Sequence, residues 1–307
     1  MRKVSVVTVN FNQARITEDL LKSLSLNNRY PETEIIVVDN GSTPNPVPGW
    51  KKTFPHICFI RSEINLGFAG GNNLGIKESS GDYLFLINND TEVTSDLIHR
   101  LVSVLDAQPE VGAVSPKIRF HQMPQTLQYA GFTEMNYFTA RNTCIGHLEK
   151  DTGQYDNSTG KTGFLHGAAM MIRKEAIGKA GLMPENFFLY YEEMDWCEQI
   201  KKAGYEIWVE PKAVIYHKES MSVGKRSPLK EFFMNRNRIL FIRRNASTFA
   251  RIVFYCHFAW LVTPRNVLMY LKDGQTDLLK QLFRAIWWNI THKASSTDLG
   301  YPIHKIS

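Results

Sequence analysis

The chain has 307 residues, 21% of them charged and 43% hydrophobic, with a formal net charge of +6, which is ordinary for a folded soluble protein built from one large α/β domain and a smaller appendage. Its cysteines, Cys58, Cys144, Cys197 and Cys256, form no Cys-x-x-Cys pair, so neither a zinc site nor a disulfide framework is indicated, and a reducing compartment is the natural reading. No apolar run reaches the roughly 18 residues of a spanning helix, and no nucleic-acid motif accompanies the basic residues.

Taken in order, the first part alternates strand and helix. Residues 4–9 form a β-branched run, too short for a signal peptide because Asn10 breaks it. Ile16, Leu20, Leu21 and Leu24 recur at helical spacing, residues 34–39 read as a second strand, and Asn40-Gly41 is a turn. A third strand fits residues 57–60, a helix follows the glycines near Gly70, and residues 83–87 make another buried strand. Continuous apolar strands separated by helices imply a mostly parallel sheet covered on both faces, with ligands beyond the carboxyl ends of the strands. The groups at those ends are Asn10 and Asn12, residues 39–42, and Asn88-Asn89-Asp90, a set that suits a nucleotide.

Residues 123–161 read as a loop-rich acceptor region. Structure resumes at residues 164–172, followed by a helix over 192–203 and strands at 207–209 and 213–216. Beyond Ser227 the pattern turns to long helices rich in aromatics and arginine. The expected division is therefore a catalytic domain over residues 1–226, with a nucleotide half to about 120 and an acceptor half after it, and a helical region over 227–307.

Several residues carry candidate chemistry. Asp39 closes a strand, where its carboxylate accepts the ring N–H of uracil or thymine or simply caps a turn. The glycine-rich stretch over residues 65–75, which includes Gly71 and Asn72, permits close backbone approach to a phosphate at a helix start, although it matches no standard phosphate loop. Asn88 and Asp90 share one side of a strand end, as oxygen ligands for magnesium or manganese or as turn residues. Glu192, Glu193 and Asp195 lie among aromatics that raise a carboxylate's pKa toward general-base work, or else complement a helix dipole. His217 ends a strand, as a structural histidine or a ligand.

In their order and spacing these pieces resemble the family-two glycosyltransferases of the GT-A fold, particularly the bacterial rhamnosyltransferase-like branch, over residues 4–222. The resemblance implies that Val9, Phe11 and Asp39 hold base and ribose, and that Gly71, Asn72 and Asn88 belong to the nucleotide site. Many relatives carry an arginine where this chain has Asn72. It implies that Asp90, with Asn88 in place of a first acid, and His217 hold a divalent metal, Mn2+ or Mg2+. It makes Glu193 the base where the family has aspartate, with Asp195 in the same catalytic motif. It puts Glu192, Trp196 and Arg236 on the acceptor or phosphate side.

The implied reaction is an inverting transfer of a sugar from a UDP- or dTDP-sugar to a saccharide or lipid-linked glycan. A nucleotidyltransferase would need a basic glycine loop after the first strand, and Asn10-Phe11-Asn12-Gln13 offers none. A saccharide-binding or scaffolding subunit is the non-enzymatic alternative, motivated by Asn88 and Glu193. The basic stretch (Lys225, Arg226, Lys230, Arg236, Arg238, Arg243, Arg244, Arg251) and the apolar run around Trp260 suit an anionic membrane surface or a phosphate-bearing substrate. A homodimer interface or a solvated basic face would account for the same residues. The expected location is cytoplasmic and peripheral on the inner face of the plasma membrane.

Overall fold

The computed structural model describes residues 1–218 and 227–302, so Lys225 and Arg226 of the basic stretch and the last residues of the expected 1–226 domain lie outside the described residues. The chain begins with β1 (Val4–Asn10), α1 (Ala14–Asn27), β2 (Thr33–Asn40), α2 (Val47–Thr53), β3 (Cys58–Ser62), α3 (Gly67–Glu78) and β4 (Tyr83–Ile87). β4 is buried along its whole length and β1 nearly so, as strands covered on both faces must be. α1 turns Leu20, Leu21 and Leu24 inward, the stripe its spacing predicts.

There follow β5 (Thr91–Val93), α4 (Leu97–Ala107), β6 (Val111–Phe120), β7 (Met123–Tyr129), β8 (Gly160–Lys161), β9 (Ala169–Arg173), α5 (Lys174–Ala180), α6 (Glu192–Lys202) and β10 (Glu206–His217). The sheet runs β3-β2-β1-β4-β9-β6-β10-β5, with β7 added to β6 and β8 to β10. β1 to β4 are mutually parallel, β9 is antiparallel to both neighbours, β10 is parallel to β6, and β5 closes antiparallel on β10. The result is a mixed, mostly parallel sheet between helices.

Two elements differ from the sequence expectation. The two strands expected at 207–209 and 213–216 are one strand, β10, with a register shift between Glu210 and Val214. Pro211 lies in that bulge, where its missing N–H costs the ladder nothing. The loop-rich region also contains β7, and ion pairs pin its long loop to β6. Buried Lys117 Nζ lies 2.9 Å from Asp151 and 2.6 Å from Asp156, and Arg119 lies 2.6 Å from Asp151.

After residue 227 come α7 (Pro228–Asn245), α8 (Thr248–His257), a π-helical stretch (Phe258–Val262), α9 (Thr263–Lys272) and α10 (Thr276–Thr291). Ser227 caps α7, its hydroxyl accepting from the Lys230 N–H. Phe232, Phe233, Phe241 and Ile242 of α7 are fully buried, each worth about 1.5–3 kcal/mol of apolar burial. Phe241 packs its ring against Tyr137, Phe164 and Tyr191 at centroid distances of 6.1, 6.2 and 5.8 Å. Residues of α7 thus share one core with Trp196 and Ala69 of the sheet-and-helix part.

Candidate active site

A cavity of about 320 Å³ opens at the carboxyl ends of the central strands, lined by Val9, Phe11, Asn40, Asn65, Phe68, Asn72, Asn88, Asp90, Phe188 and Leu189 among others. Five sequence-predicted residues, Val9, Phe11, Asn72, Asn88 and Asp90, therefore share one wall. Asn88 and Asp90 lie in the turn after β4, not on the strand itself, yet both face the cavity. The Asn88 N–H donates to the Ala168 carbonyl at 2.9 Å, which fixes that turn against the start of β9.

Part of the glycine stretch lines the cavity, through Asn65, Gly67, Phe68 and Asn72, and part packs behind it. Gly71 and Gly75 lie within α3, where a Cβ would sit 2.8 Å from Val9 and 2.3 Å from Val7, so they let the helix close on β1. The amides at its start already have partners. Leu66 N–H donates to Asn40 Oδ1, Gly67 N–H to Asn65 Oδ1, and Phe68 N–H to the Phe188 carbonyl at 3.0 Å. Gly71 is accordingly a packing residue behind the cavity. Asn72 points its amide at the Phe68 carbonyl, 2.9 Å away.

Asp39 is fully buried and is absent from the cavity wall. Asn10 Nδ2 donates to its Oδ1 at 2.8 Å, and Arg61, its register partner on β3, is ion-paired to Oδ2. Its carboxylate thus braces the ends of β1, β2 and β3 behind Val9 and Phe11.

β5 and β10 assemble the metal-type pair. Their antiparallel register sets His217 opposite Thr91, next to Asp90, and the Lys218 N–H donates to the Asp90 carbonyl at 2.7 Å. His217 Nδ1 contacts Gln128 Oε1 at 3.0 Å, and with the ring proton on that nitrogen the Nε2 lone pair faces Asp90. Nε2 then lies 3.0 Å from Asp90 Oδ1, a buried oxygen with no properly angled hydrogen-bond donor. Two lone pairs at that distance call for a proton or a cation, so the donor set fits a divalent ion. Among the described residues no third His, Cys, Asp or Glu joins them, so remaining ligands would come from substrate oxygens or water. Burial pushes the Asp90 carboxyl up, but a proton shared from His217 Nε2 and the Lys218 charge outweigh it and hold Asp90 below the usual carboxylate range, the direction in which a cation held there would also act.

The carboxylates of α6 follow an unusual turn. Phe188, Tyr190 and Tyr191 all have left-handed backbones (φ 66°, 70° and 72°), a conformation that costs an aromatic residue about 1–2 kcal/mol. Asn237 of α7 holds this segment. Its fully buried amide donates to the carbonyls of Phe187, Leu189 and Tyr190 at 2.9, 2.7 and 2.9 Å. Glu192 and Glu193 come next in the chain. Glu193 is not among the lining residues but is close to them, since a Cβ at Gly167 would lie 3.9 Å from both its carboxyl carbon and the ring of Phe68, which does line the cavity. Burial pushes Glu193 above the usual carboxylate range. Burial and the Glu193 charge push Glu192 up well beyond its ordinary value. A raised pKa makes the carboxylate a stronger base than a free one, the direction that general-base work requires.

The other predicted residues of this motif lie elsewhere. Asp195 is fully buried, with Arg244 on both oxygens at 2.9 and 3.0 Å and Asn245 at 2.6 Å. It ties α6 to α7 and keeps no free oxygen for proton transfer, so its catalytic assignment is corrected to a structural one. Trp196 is a core residue donating to the Gly181 carbonyl, out of reach of any acceptor. Arg236 is fully buried with its guanidinium 3.9 Å above the Trp288 ring and bound to the Asn186 carbonyl. Burial lowers its pKa to about 9, and it stands away from the cavity.

Residues 5–181 match the family described as glycosyl transferase family 2. The chain belongs to that family. Relatives of this family 2 glycosyltransferase include N-acetylglucosaminyl-diphospho-decaprenol L-rhamnosyltransferase of Mycobacterium tuberculosis, 25% identical over 72% of this chain and 77% of the relative. Poly-beta-1,6-N-acetyl-D-glucosamine synthase of Staphylococcus epidermidis is 23% identical over 87% of this chain and 67% of the relative. S. aureus TarS 1-349 superimposes with a TM-score of 0.59 at 16% identity, covering 94% of this chain and 81% of that one. The Pyrobaculum calidifontis mannosyltransferase PcManGT, solved with GDP-Man and Mn2+, gives 0.55 at 17% identity over 94% and 87%. The fold is GT-A.

Gln128, Arg61 and the wall formed by Phe188 and Leu189 are not anticipated in the sequence, and Asn237, which with Arg236 resembles a pair of the branch near the phosphates or membrane face, is instead the clamp of the turn before α6. Only Arg61 had a usable signal, because pairing the second and third strands in parallel sets it beside Asp39.

Proposed function

We propose that the protein transfers a hexosyl or rhamnosyl group, with inversion, from a UDP- or dTDP-sugar to a hydroxyl of a saccharide or lipid-linked glycan in bacterial polysaccharide synthesis. The observation that carries this reading is the cation-suited pair Asp90 and His217, with Asp90 in the cavity wall and the raised carboxyl of Glu193 on the far side of Gly167 from Phe68 of the same wall. Glu193 takes the proton of the acceptor hydroxyl as its oxygen attacks the anomeric carbon. The bond to the diphosphate breaks on the opposite face, and the electron pair leaves on the phosphate oxygen, so the configuration inverts. A divalent ion held by Asp90 and His217 would neutralise the charge building on the leaving diphosphate. With Asn88 in place of a second acid, more of the ion's ligands fall to the diphosphate.

The activity for which the mycobacterial relative is named supports rhamnosyl transfer to a diphosphate-linked acceptor. A TarS complex with UDP-GlcNAc supports a pyrimidine donor, and the GDP-Man complex of PcManGT names the competing base. We further infer attachment to an anionic membrane surface. No described helix is long and apolar enough to cross a bilayer, but Phe249, Trp260, Trp287 and Ile290 are 65–78% exposed on α8, the π-helical stretch and α10, beside Arg251 and Lys280. The experiment is to screen purified protein with Mn2+ and Mg2+ against UDP-, dTDP- and GDP-sugars for release of nucleoside diphosphate. Release from a UDP- or dTDP-sugar is expected, and release confined to GDP-sugars, or none, contradicts the reading.

A further inference from the structure

Apart from the donor cavity, a second pocket of about 440 Å³ is lined by Thr139, Arg141, His257, Leu261, Val262 and Arg265. Arg238 of α7 adjoins it, donating from Nη2 to the Thr139 carbonyl. Two polar atoms here, Arg238 Nε and His257 Nε2, are buried with no hydrogen-bond partner. Among the described residues Arg265 donates to Asn266 alone, at 3.1 Å. Among the described residues no carboxylate pairs with Arg141, Arg238 or Arg265, although other arginines of this region, such as Arg244, are paired. Burial, then the like charges of Arg141 and Arg265, depress the Arg238 guanidinium, and burial, then the same three arginines, depress His257. Converging cations without an acid are unfavourable unless an anion joins them, and guanidinium forks suit phosphate oxygens.

The pocket has an apolar side and a catalytic side. Leu261 lines it and is 63% exposed, and Trp260 next to it is 78% exposed. Tyr191, two residues before Glu193, is within the electrostatic reach of Arg238, Glu193 and Arg141 alike. We propose that this pocket binds the diphosphate of an isoprenoid-diphosphate-linked acceptor, with the lipid chain leaving past Leu261 and Trp260 and the first sugar directed toward Glu193. The proposal rests on the glycosyl-transfer reading for its acceptor, but not for the anion site itself.

The test is calorimetric titration of the full chain with farnesyl diphosphate, in Mn2+ and saturating UDP so that the donor site is filled. Arg141 and Arg265 are exposed, so Arg141→Gln with Arg265→Gln leaves the fold intact. Binding by the wild type, weakened at least tenfold in the double variant and for farnesol in place of the diphosphate, is the expected result. No binding in saturating UDP, equal binding by the double variant, or equal binding of farnesol overturns the assignment. Phosphatidylglycerol vesicles that compete farnesyl diphosphate off through the same arginines overturn it too, because a bilayer headgroup would then be the ligand. UDP- and dTDP-sugar binding is titrated separately. Its absence removes the transferase reading while the arginine-dependent diphosphate site stands.

Discussion

Replacing Asn237 by alanine is expected to disable catalysis through backbone geometry. The Asn237 amide reaches three carbonyls within a segment where Phe188, Tyr190 and Tyr191 are left-handed. At about 1–2 kcal/mol each, those conformations store about 3–6 kcal/mol that the surroundings must offset. Removing the amide forfeits about 0.5–1.5 kcal/mol per hydrogen bond, so roughly 2–4 kcal/mol in total. Against a typical stability of about 5–15 kcal/mol the protein still folds, with a melting temperature lower by about 5–10 °C. The relaxed segment carries Leu189 away from the cavity wall and Glu193 from its place beside Phe68. Single-turnover transfer therefore falls by about 10²-fold, the cost of a small misplacement, while donor affinity changes far less. Asn237→Asp is worse still, because it points carboxylate oxygens at three carbonyls. Calorimetry and rapid-quench transfer assays measure both effects. An Asn237→Ala variant that melts lower but turns over normally refutes the link between clamp and base, and a wild-type-like Asn237→Asp refutes the clamp.

Asp90→Ala is expected to abolish Mn2+-dependent donor binding and His217→Ala to weaken it by about 10–100-fold, and full activity in excess chelator would contradict both. The Glu192 carboxyl is raised in the folded state, so its contribution to stability is present below the unfolded pKa and is lost as pH rises through the folded value. Glu192→Gln should remove that loss, which thermal melts over about pH 5 to 9 would register as a flatter profile. Trp260→Glu combined with Trp287→Glu should reduce co-sedimentation with phosphatidylglycerol vesicles, because the exposed apolar residues of the C-terminal helices would no longer enter the interface. Unchanged pelleting, with dissociation of a dimer instead, would assign that face to a second copy of the chain.

The sheet was legible because its strands are buried on both faces and read as unbroken apolar runs, with turn residues at their ends. Val9, Phe11, Asn88 and Asp90 were found for the same reason, as groups at the carboxyl ends of β1 and β4. What escaped depends on contacts between distant segments. Asp195 and Glu193 look alike in sequence, and only Arg244, on α7, separates a bridged carboxylate from a base. The glycines of α3 advertised a phosphate loop, but small residues serve close helix-to-strand packing equally well. The left-handed turn before α6 has no glycine to announce it, since Asn237, far along the chain, holds aromatics in that conformation. β7 lacks an apolar alternation and is held by pairing to β6.

The most direct test of the account is the single-turnover rate of Glu193→Gln, with donor binding measured alongside. The substitution keeps the shape of the side chain, so donor and metal binding should persist while transfer falls by about 10²–10⁴-fold, the contribution of a positioned base. Asp195→Asn, which loosens the Arg244 tie, should instead lower the melting temperature more than the chemical step. Normal transfer by Glu193→Gln together with a folded but inactive Asp195→Asn would contradict the assignment of the base.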